Sequence, residues 1–305
     1  MPARPTVSTV TVRAPAKVNL YLSVGPVRGD GFHELTTVFQ AIGLYDDVTV
    51  SRGEGLSVRV VGDSADQVPT DRTNLAARAV LALVARTGRE PDVEVLIRKR
   101  IPVAGGCAGG STDAAAALLA CVHLWGLSLS KAELMEIAAE VGSDVPFCLQ
   151  GGIALGTGRG EQLTSVLGHG VYWWVLALAD EGLSTARVFA ELDRQRADGR
   201  IVMESDLSQV LAAVRQGSSV NVGRALSNDL QPAAESLNPS LRGLVALGEE
   251  LGALGTVLSG SGPTVAFLAR DEDHAAALGA SLVSHCRAVR IVDGPVPGAR
   301  VVKAS

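Results

Sequence analysis

The sequence predicts an α+β protein of two domains. Its 305 residues exceed the roughly 100–200 that one domain ordinarily holds. Apolar residues recur at strand spacing in some stretches and at helix spacing in others, and the pattern starts afresh after a glycine-rich stretch near residue 160. A hydrophobic fraction of 47% against 19% charged residues is enough for a core in each domain and excludes a disordered chain. The 34 glycines and 13 prolines follow no fixed period, so collagen-like and mucin-like architectures are excluded as well.

From Thr9 to Val24 the alternation of Val10, Val12, Val18, Leu20 and Leu22 predicts two extended pieces joined near Pro15, a hairpin or strand pair. The turn-rich GPVRGDGFH follows at 25–33. Strands are expected at Leu35–Ile42 and Val48–Val60, broken by Asp46-Asp47 and by Gly53 to Gly55. From Thr73 the apolar spacing becomes helical and ends at Gly88, after which Val93, Val95 and Ile97 alternate as a strand. A glycine loop at Ala104–Gly110 leads into an alanine-rich helix expected over Thr112–Leu124, and a second helix covers Lys131–Val141. The boundary falls in GTGRGE, giving domains 1–160 and 161–305. The second unit then offers a strand at Val171–Leu178 and helices at Thr185–Arg196, Leu207–Gln216 and Pro239–Leu251. Strands at Thr256–Leu258 and Val265–Leu268, a helix at Asp271–His285 and a strand at Ala288–Val292 complete it.

Several functions are excluded at this level. The most apolar stretches, Val171–Ala179 and Ala114–Val122, fall short of the ~18 residues a membrane span needs. Met1–Val12 lacks the apolar core of a secretory signal, so the expected compartment is the cytoplasm. Cys107, Cys121, Cys148 and Cys286 form no CxxC pair and are expected to be free, mostly buried thiols. A net charge of −5 argues against nucleic-acid binding. An anionic small molecule is still compatible, provided local cations and backbone amides hold it. Lysine is scarce, at positions 17, 99, 131 and 303, so a lysine inside a motif draws attention.

The sharpest feature is RKRIPVAGGCAGGSTDAAAALL, residues 98–119, where a strand gives way to glycines and then to a helix. Glycines let the backbone approach a ligand closely, and the free amides and dipole of a helix N-terminus attract phosphate. The alternative is a tight turn before a helix capped by Thr112 or Asp113. Ser111 stands where a P-loop needs lysine, and Ala108 stands where G-x-G-x-x-G needs glycine, so neither of those cradles fits.

Other residues carry chemistry of their own. Lys17 lies in an otherwise apolar strand, where an ammonium needs a partner such as Asp144 or an edge that reaches solvent. Asn19, two residues on, projects to the same face. Asp144 sits in GSD before an apolar turn, where it could serve as a base or simply cap that turn. Lys99, just before the cradle, reads either as a nucleotide contact or as a solvated strand-end charge. Ser111 and Thr112 could meet phosphate or a metal, or cap the helix, and Ser259, Gly260, Ser261 and Gly262 form a second glycine loop that could also be a hairpin turn.

The run Pro102, Val103, Ala104, Gly105, Gly106, Cys107, Ala108, Gly109, Gly110, Ser111 resembles the nucleotide loop of the GHMP kinase superfamily. PAKVNLYLSV at 15–24 and LSGSGPTVAFL at 258–268 resemble that superfamily's first and third motifs, in the same order. Within it, Gly31-Phe32-His33, the later Phe39 and GSDVPF at 142–147 are most similar to the kinases that phosphorylate a cytidine-diphosphate derivative of methylerythritol for non-mevalonate isoprenoid synthesis. Cys107 departs from the usual leucine, and Ala104 and Ala108 from common glycines; an alanine at 108 is expected to be right-handed or to shift the loop.

The resemblance implies the two-domain GHMP fold with its cleft between the domains, ATP and Mg²⁺ as cofactors, and a small-molecule cytidine diphosphate substrate phosphorylated on its 2-hydroxyl. It assigns catalysis to Lys17 and Asp144, ATP to residues 102–112 with Lys99 nearby, and the substrate to Asn19, Phe32, His33, Phe39 and Phe189. The Mg²⁺ ligands are not assigned, and either a monomer or a homodimer is compatible. Taken alone each ring would be core. A homoserine or mevalonate kinase is the nearest rival reading, disfavoured because small alcohols need no stacked rings. A non-catalytic ligand sensor is disfavoured by Lys17 and Asp144 together.

Overall fold

In the computed structural model, residues 7–179, 182–199 and 206–305 are described. Two long antiparallel strands, β1 (Thr9–Val27) and β2 (His33–Arg52), open the chain. β1 is one strand where two pieces were expected. Pro15 pairs with Tyr45 while Ala16 pairs with Ile42, so the proline sits at a bulge, where its missing N–H costs least. β2 likewise runs straight through Asp46-Asp47. Both charges are satisfied there: Arg13 donates to both oxygens of Asp47 (2.8 and 3.0 Å), and Asp46 meets Lys99.

After β3 (Ser57–Gly62), helix α1 (Leu75–Thr87) starts at Asn74, whose side chain accepts from the amides of Ala76 and Ala77. It ends at Gly88, whose φ of +67° suits a residue without Cβ. β4 (Val93–Lys99) follows, then α2 (Gly109–Trp125), α3 (Lys131–Val141) and the short α4 (Val145–Gln150). A Ser130–Glu133 capping box fixes the start of α3. Ala114 to Ala117 on α2 are fully buried, and such small side chains let the helix lie close to the sheet.

Strands β5 (Ile153–Thr157) and β6 (Gln162–Ser165) extend β2 on its far half, and β7 (Tyr172–Leu178) begins a second sheet. Then come α5 (Thr185–Ala197), α6 (Leu207–Gln216), α7 (Ser219–Ala225), the two-residue β8 (Ser227–Asn228), α8 (Gln231–Leu237) and α9 (Ser240–Glu250). β9 (Gly255–Leu258), β10 (Thr264–Ala269), α10 (Glu272–Leu282), β11 (Ala288–Gly294) and β12 (Arg300–Ala304) close the chain. Among the described residues the first sheet has eight strands, with β12-β1-β2-β4-β3 as its main path, and the second is antiparallel in the order β11-β7-β10-β9. β4–β5 of the sequence is bridged by helices packed on one face, a mixed α+β arrangement.

β6 and β12 lie beyond residue 160 yet belong to the first sheet, so the chain returns to where it began. The halves also share a core. Leu20, Val38 and Ile42 of the first sheet pack in one cluster with Trp174 and Leu176 of the second, and Trp174 Nε1 donates to Gln40 Oε1 at 2.7 Å. Burying side chains of this size contributes about 1.5–3 kcal/mol each, which holds the two walls of the cleft to one another.

Candidate active site

A cavity of about 1050 Å³ opens along the seam, lined from both halves of the chain. The first glycine loop forms one wall. Ala104, Gly106 and Ala108 alternate in left-handed conformation (φ +53°, +75° and +62°), bending the backbone into a concave run. Ala108 is therefore left-handed, contrary to expectation, and with Ala104 it carries a steric cost of about 1–2 kcal/mol that glycine would not. Helix α2 begins at Gly109, three residues earlier than expected. Ala108 gives it no side-chain cap, so the amides of Gly109, Gly110 and Ser111 precede the first helical bond, Thr112 N to Ala108 O (2.8 Å). The capped-helix alternative is thereby removed.

Not every residue of the motif faces the cavity. Pro102 to Gly106 and Ala108 to Ser111 line it. The Cys107 side chain turns into the apolar core, where burial pushes its thiol pKa up. Thr112 is fully buried and its hydroxyl donates to Pro15 O (2.9 Å), which corrects the expectation that it meets phosphate or a metal. Lys99 is 2% exposed, so the solvated strand-end reading is wrong; its ammonium donates to Asp46 and Asp113.

The second glycine loop locks against the first. Ser259 is buried, and its hydroxyl donates to Gly106 O (3.1 Å); a Cβ on Gly106 would fall 2.0 Å from Ser259 O. Asn228 holds this loop by donating to Leu258 O and Gly260 O, both at 2.7 Å. Gly260, Ser261 and Gly262 face the cavity, and a Cβ on Gly260 would stand 3.0 Å from Lys17 Nζ.

Lys17 is 3% exposed, which excludes the strand-edge alternative. Its ammonium donates to Asn19 Oδ1 (2.6 Å), Asn19 Nδ2 donates to Thr37 Oγ1 (2.8 Å), and that hydroxyl donates to Tyr21 O (2.7 Å). The chain of donors aims the ammonium at Asp144, whose Oδ2 lies 4.0 Å away. Asp144 precedes α4 but gives it no side-chain cap, and Pro146 stands in the first turn, where its missing N–H leaves no bond unmade. The carboxylate is free to face the cavity with its side chain 31% exposed.

At the other end, His33 Nε2 bonds Asp193 Oδ1 (2.9 Å), and the ring lies 5.0 Å from that of Phe189. Phe32 is 53% exposed, with the Arg159 guanidinium 5.2 Å from its ring centre. Phe39 lines the cavity but is 2% exposed and stacked on Phe147 at 4.8 Å, so one of its faces is already taken.

Sequence reasoning did not single out Asp193, Arg159, Thr37 or Asn228, and it named Asp46 only as a strand break and Asp113 only as a possible helix cap. Asp193 follows Phe189 by four residues, so both share one face of α5 once that helix is assigned. The others had no local signal. Among the described residues, no group of three or more His, Cys, Asp or Glu is arranged to hold a metal ion, and no helix is long and apolar enough to cross a membrane.

Comparison with known proteins bears on the family and the fold. Residues 74–152 match the GHMP kinases N terminal domain and residues 210–288 the GHMP kinases C terminal model. The chain is 53% identical over 296 residues to a 4-diphosphocytidyl-2-C-methyl-D-erythritol kinase of Streptomyces avermitilis, covering 96% of this chain and 100% of that protein. It is 52% identical over 298 residues to the kinase of the same name from Mycobacterium tuberculosis, covering 97% and 94%. A crystal structure of 4-(cytidine 5'-diphospho)-2C-methyl-D-erythritol kinase superposes with a TM-score of 0.75 at 31% identity, covering 93% of this chain and 99% of that one. A homoserine kinase from Cytophaga hutchinsonii, 18% identical, shares the fold with a TM-score of 0.77 over 99% and 100% of the two chains.

Proposed function

The chain belongs to the GHMP kinases, within the family of 4-diphosphocytidyl-2-C-methyl-D-erythritol kinases, and on that premise we propose how its cleft performs the transfer. It is an ATP-dependent kinase that moves the γ-phosphoryl group of ATP to the 2-hydroxyl of 4-diphosphocytidyl-2-C-methyl-D-erythritol. The observation that carries the reading is the Lys17–Asp144 pair, 4.0 Å apart, in the same cavity as the uncapped start of α2.

The amides of Gly109, Gly110 and Ser111 and the dipole of α2 suit a triphosphate tail, with the concave run 104–108 giving the chain room to approach. The second glycine loop closes the same wall through Gly260 to Gly262. The substrate hydroxyl bonds to Asp144, the acceptor available for its proton, as its oxygen attacks the γ-phosphorus; the new O–P bond forms while the bond to the β-phosphate oxygen breaks, leaving ADP. Lys17 faces the developing negative charge, and its bond to Asn19 keeps it there without reorganisation. The base end of the substrate lies against His33, Phe189 and Phe32, with Phe39 as floor and Asn19 beside the reacting end.

Mg²⁺ suits the donors present. The Ser111 hydroxyl lines the cleft beside the free amides of α2, and this ion takes few protein oxygens alongside phosphates. Bound there, it would neutralise charge on the β- and γ-phosphates. We place the activity in the cytoplasm, where ATP and reduced thiols coexist; Cys107, Cys121 and Cys148 are buried thiols. We likewise propose 1–160 as the nucleotide and catalytic domain and 161–305 as the C-terminal domain, with β6, β8 and β12 of the latter returning to the first sheet.

An ADP-release assay across alcohols tests the reading. Release is expected with the cytidyl diphosphate alcohol and at least about 10²-fold less with homoserine or mevalonate, since a binding site deprived of its base contacts loses several kcal/mol. Equal turnover of a small alcohol would refute it.

A further inference from the structure

The Asp46–Lys99–Asp113 set takes no part in the steps above. We propose that it is a positioning device for the nucleotide loop, fixing both ends of residues 100–112 at the separation a triphosphate requires. The inference rests on the kinase reading of the cleft.

Three elements meet at this point: Asp46 on β2, Lys99 at the end of β4 and Asp113 on α2. Asp46 holds the beginning of the loop, its Oδ1 accepting from the amides of Arg100 (2.6 Å) and Ile101 (2.9 Å). Its Oδ2 accepts from Lys99 Nζ at 2.5 Å, and the same ammonium donates to Asp113 Oδ2 at 2.7 Å, where the loop has become helix. The loop is thus tied to β2 at one end and to β4 at the other. The ammonium also reaches the loop itself, since a Cβ on Gly109 would stand 3.1 Å from Lys99 Nζ. Gly109 is the first residue of α2 and carries one of its free amides.

Burial and charge give the set its specificity. The three side chains are 0–3% exposed, and a buried charge group of this kind rarely stabilises a fold more than apolar residues of equal volume would. What it supplies is directional geometry. Burial raises the Asp113 pKa well above the usual carboxylate range, against the pull of Lys99 and with help from Asp46. Asp113 Oδ1 has no hydrogen-bond partner among the described residues, so the carboxylate is held through Oδ2 alone.

Asp113→Ala frees the helical end of the clamp and leaves Lys99 paired one-to-one with Asp46. Titration calorimetry with a non-hydrolysable ATP analogue is expected to show about tenfold weaker binding. KM for ATP should rise by a similar factor, with kcat and KM for the cytidyl alcohol within about twofold. Asp113→Asn keeps an acceptor for Lys99 and should restore nucleotide affinity to within about threefold of wild type. A folded Asp113→Ala with unchanged nucleotide affinity, or with both KM values raised equally, overturns the proposal. If that variant does not fold, Asp46→Ala, which removes the acceptor of the Arg100 and Ile101 amides at the opposite end, decides by the same ratio of KM values. Failure of the wild-type chain to phosphorylate the cytidyl alcohol would strike the kinase reading instead, because nucleotide binding is measured without an acceptor.

Discussion

At the phosphate end of the cleft the inward side chains hold one another. Lys17 is fixed by Asn19, Asn19 by Thr37, Lys99 by two aspartates and the second glycine loop by Asn228. The proposed base end is looser: Phe32 is half exposed, and His33 is held by Phe189 and by Asp193, from a segment 160 residues away. A transfer step gains from donors that need no reorganisation as charge develops, whereas a base-binding wall can settle onto its ligand. The two ends should accordingly respond to mutation in different kinetic constants.

The largest effect is expected from Asp144→Ala, which should lower kcat by about 10²-fold or more while leaving nucleotide affinity within about twofold. Single-turnover kinetics with a parallel binding titration would check it, and near-normal turnover would remove Asp144 from the mechanism. His33→Ala should act at the other end, raising KM for the cytidyl alcohol about tenfold with kcat and KM for ATP little changed. An unchanged KM there would show that the base sits elsewhere. The smallest effect is expected from Ala108→Gly. Relief of the left-handed alanine is partly offset by the greater freedom of glycine in the unfolded chain, for a net gain between zero and about 1 kcal/mol. Chemical denaturation measures this directly, and a clear loss of stability would mean that the packing of the alanine methyl outweighs the strain.

The same contrast explains what could be read from the sequence. The glycine loop, the helix after it and the Lys17 strand announce themselves because their chemistry lies in short consecutive runs. The continuity of β2 through Asp46-Asp47 was hidden, because two adjacent charges read as a turn until Arg13 and Lys99 are seen to neutralise them. Thr112 belongs to the motif by position, yet its hydroxyl is spent on Pro15 O, a partner 97 residues away. Asp193 and Arg159 join His33 and Phe32 from distant segments, and only the i+4 spacing of Asp193 from Phe189 hints at the first of them.

Residue type and local spacing pointed to the α+β class, to a glycine loop suited to phosphate and to Lys17 as a lysine in need of a partner, with the family resemblance adding Asp144, since glycine permissiveness, helix periodicity and the cost of a lysine among apolar neighbours all act over a few residues. Tertiary packing decided which side chains face the cavity, that the last strand returns to the first sheet, and that Lys99 serves two buried aspartates. Those outcomes depend on partners tens to hundreds of residues apart, which only the closed chain brings within hydrogen-bonding distance.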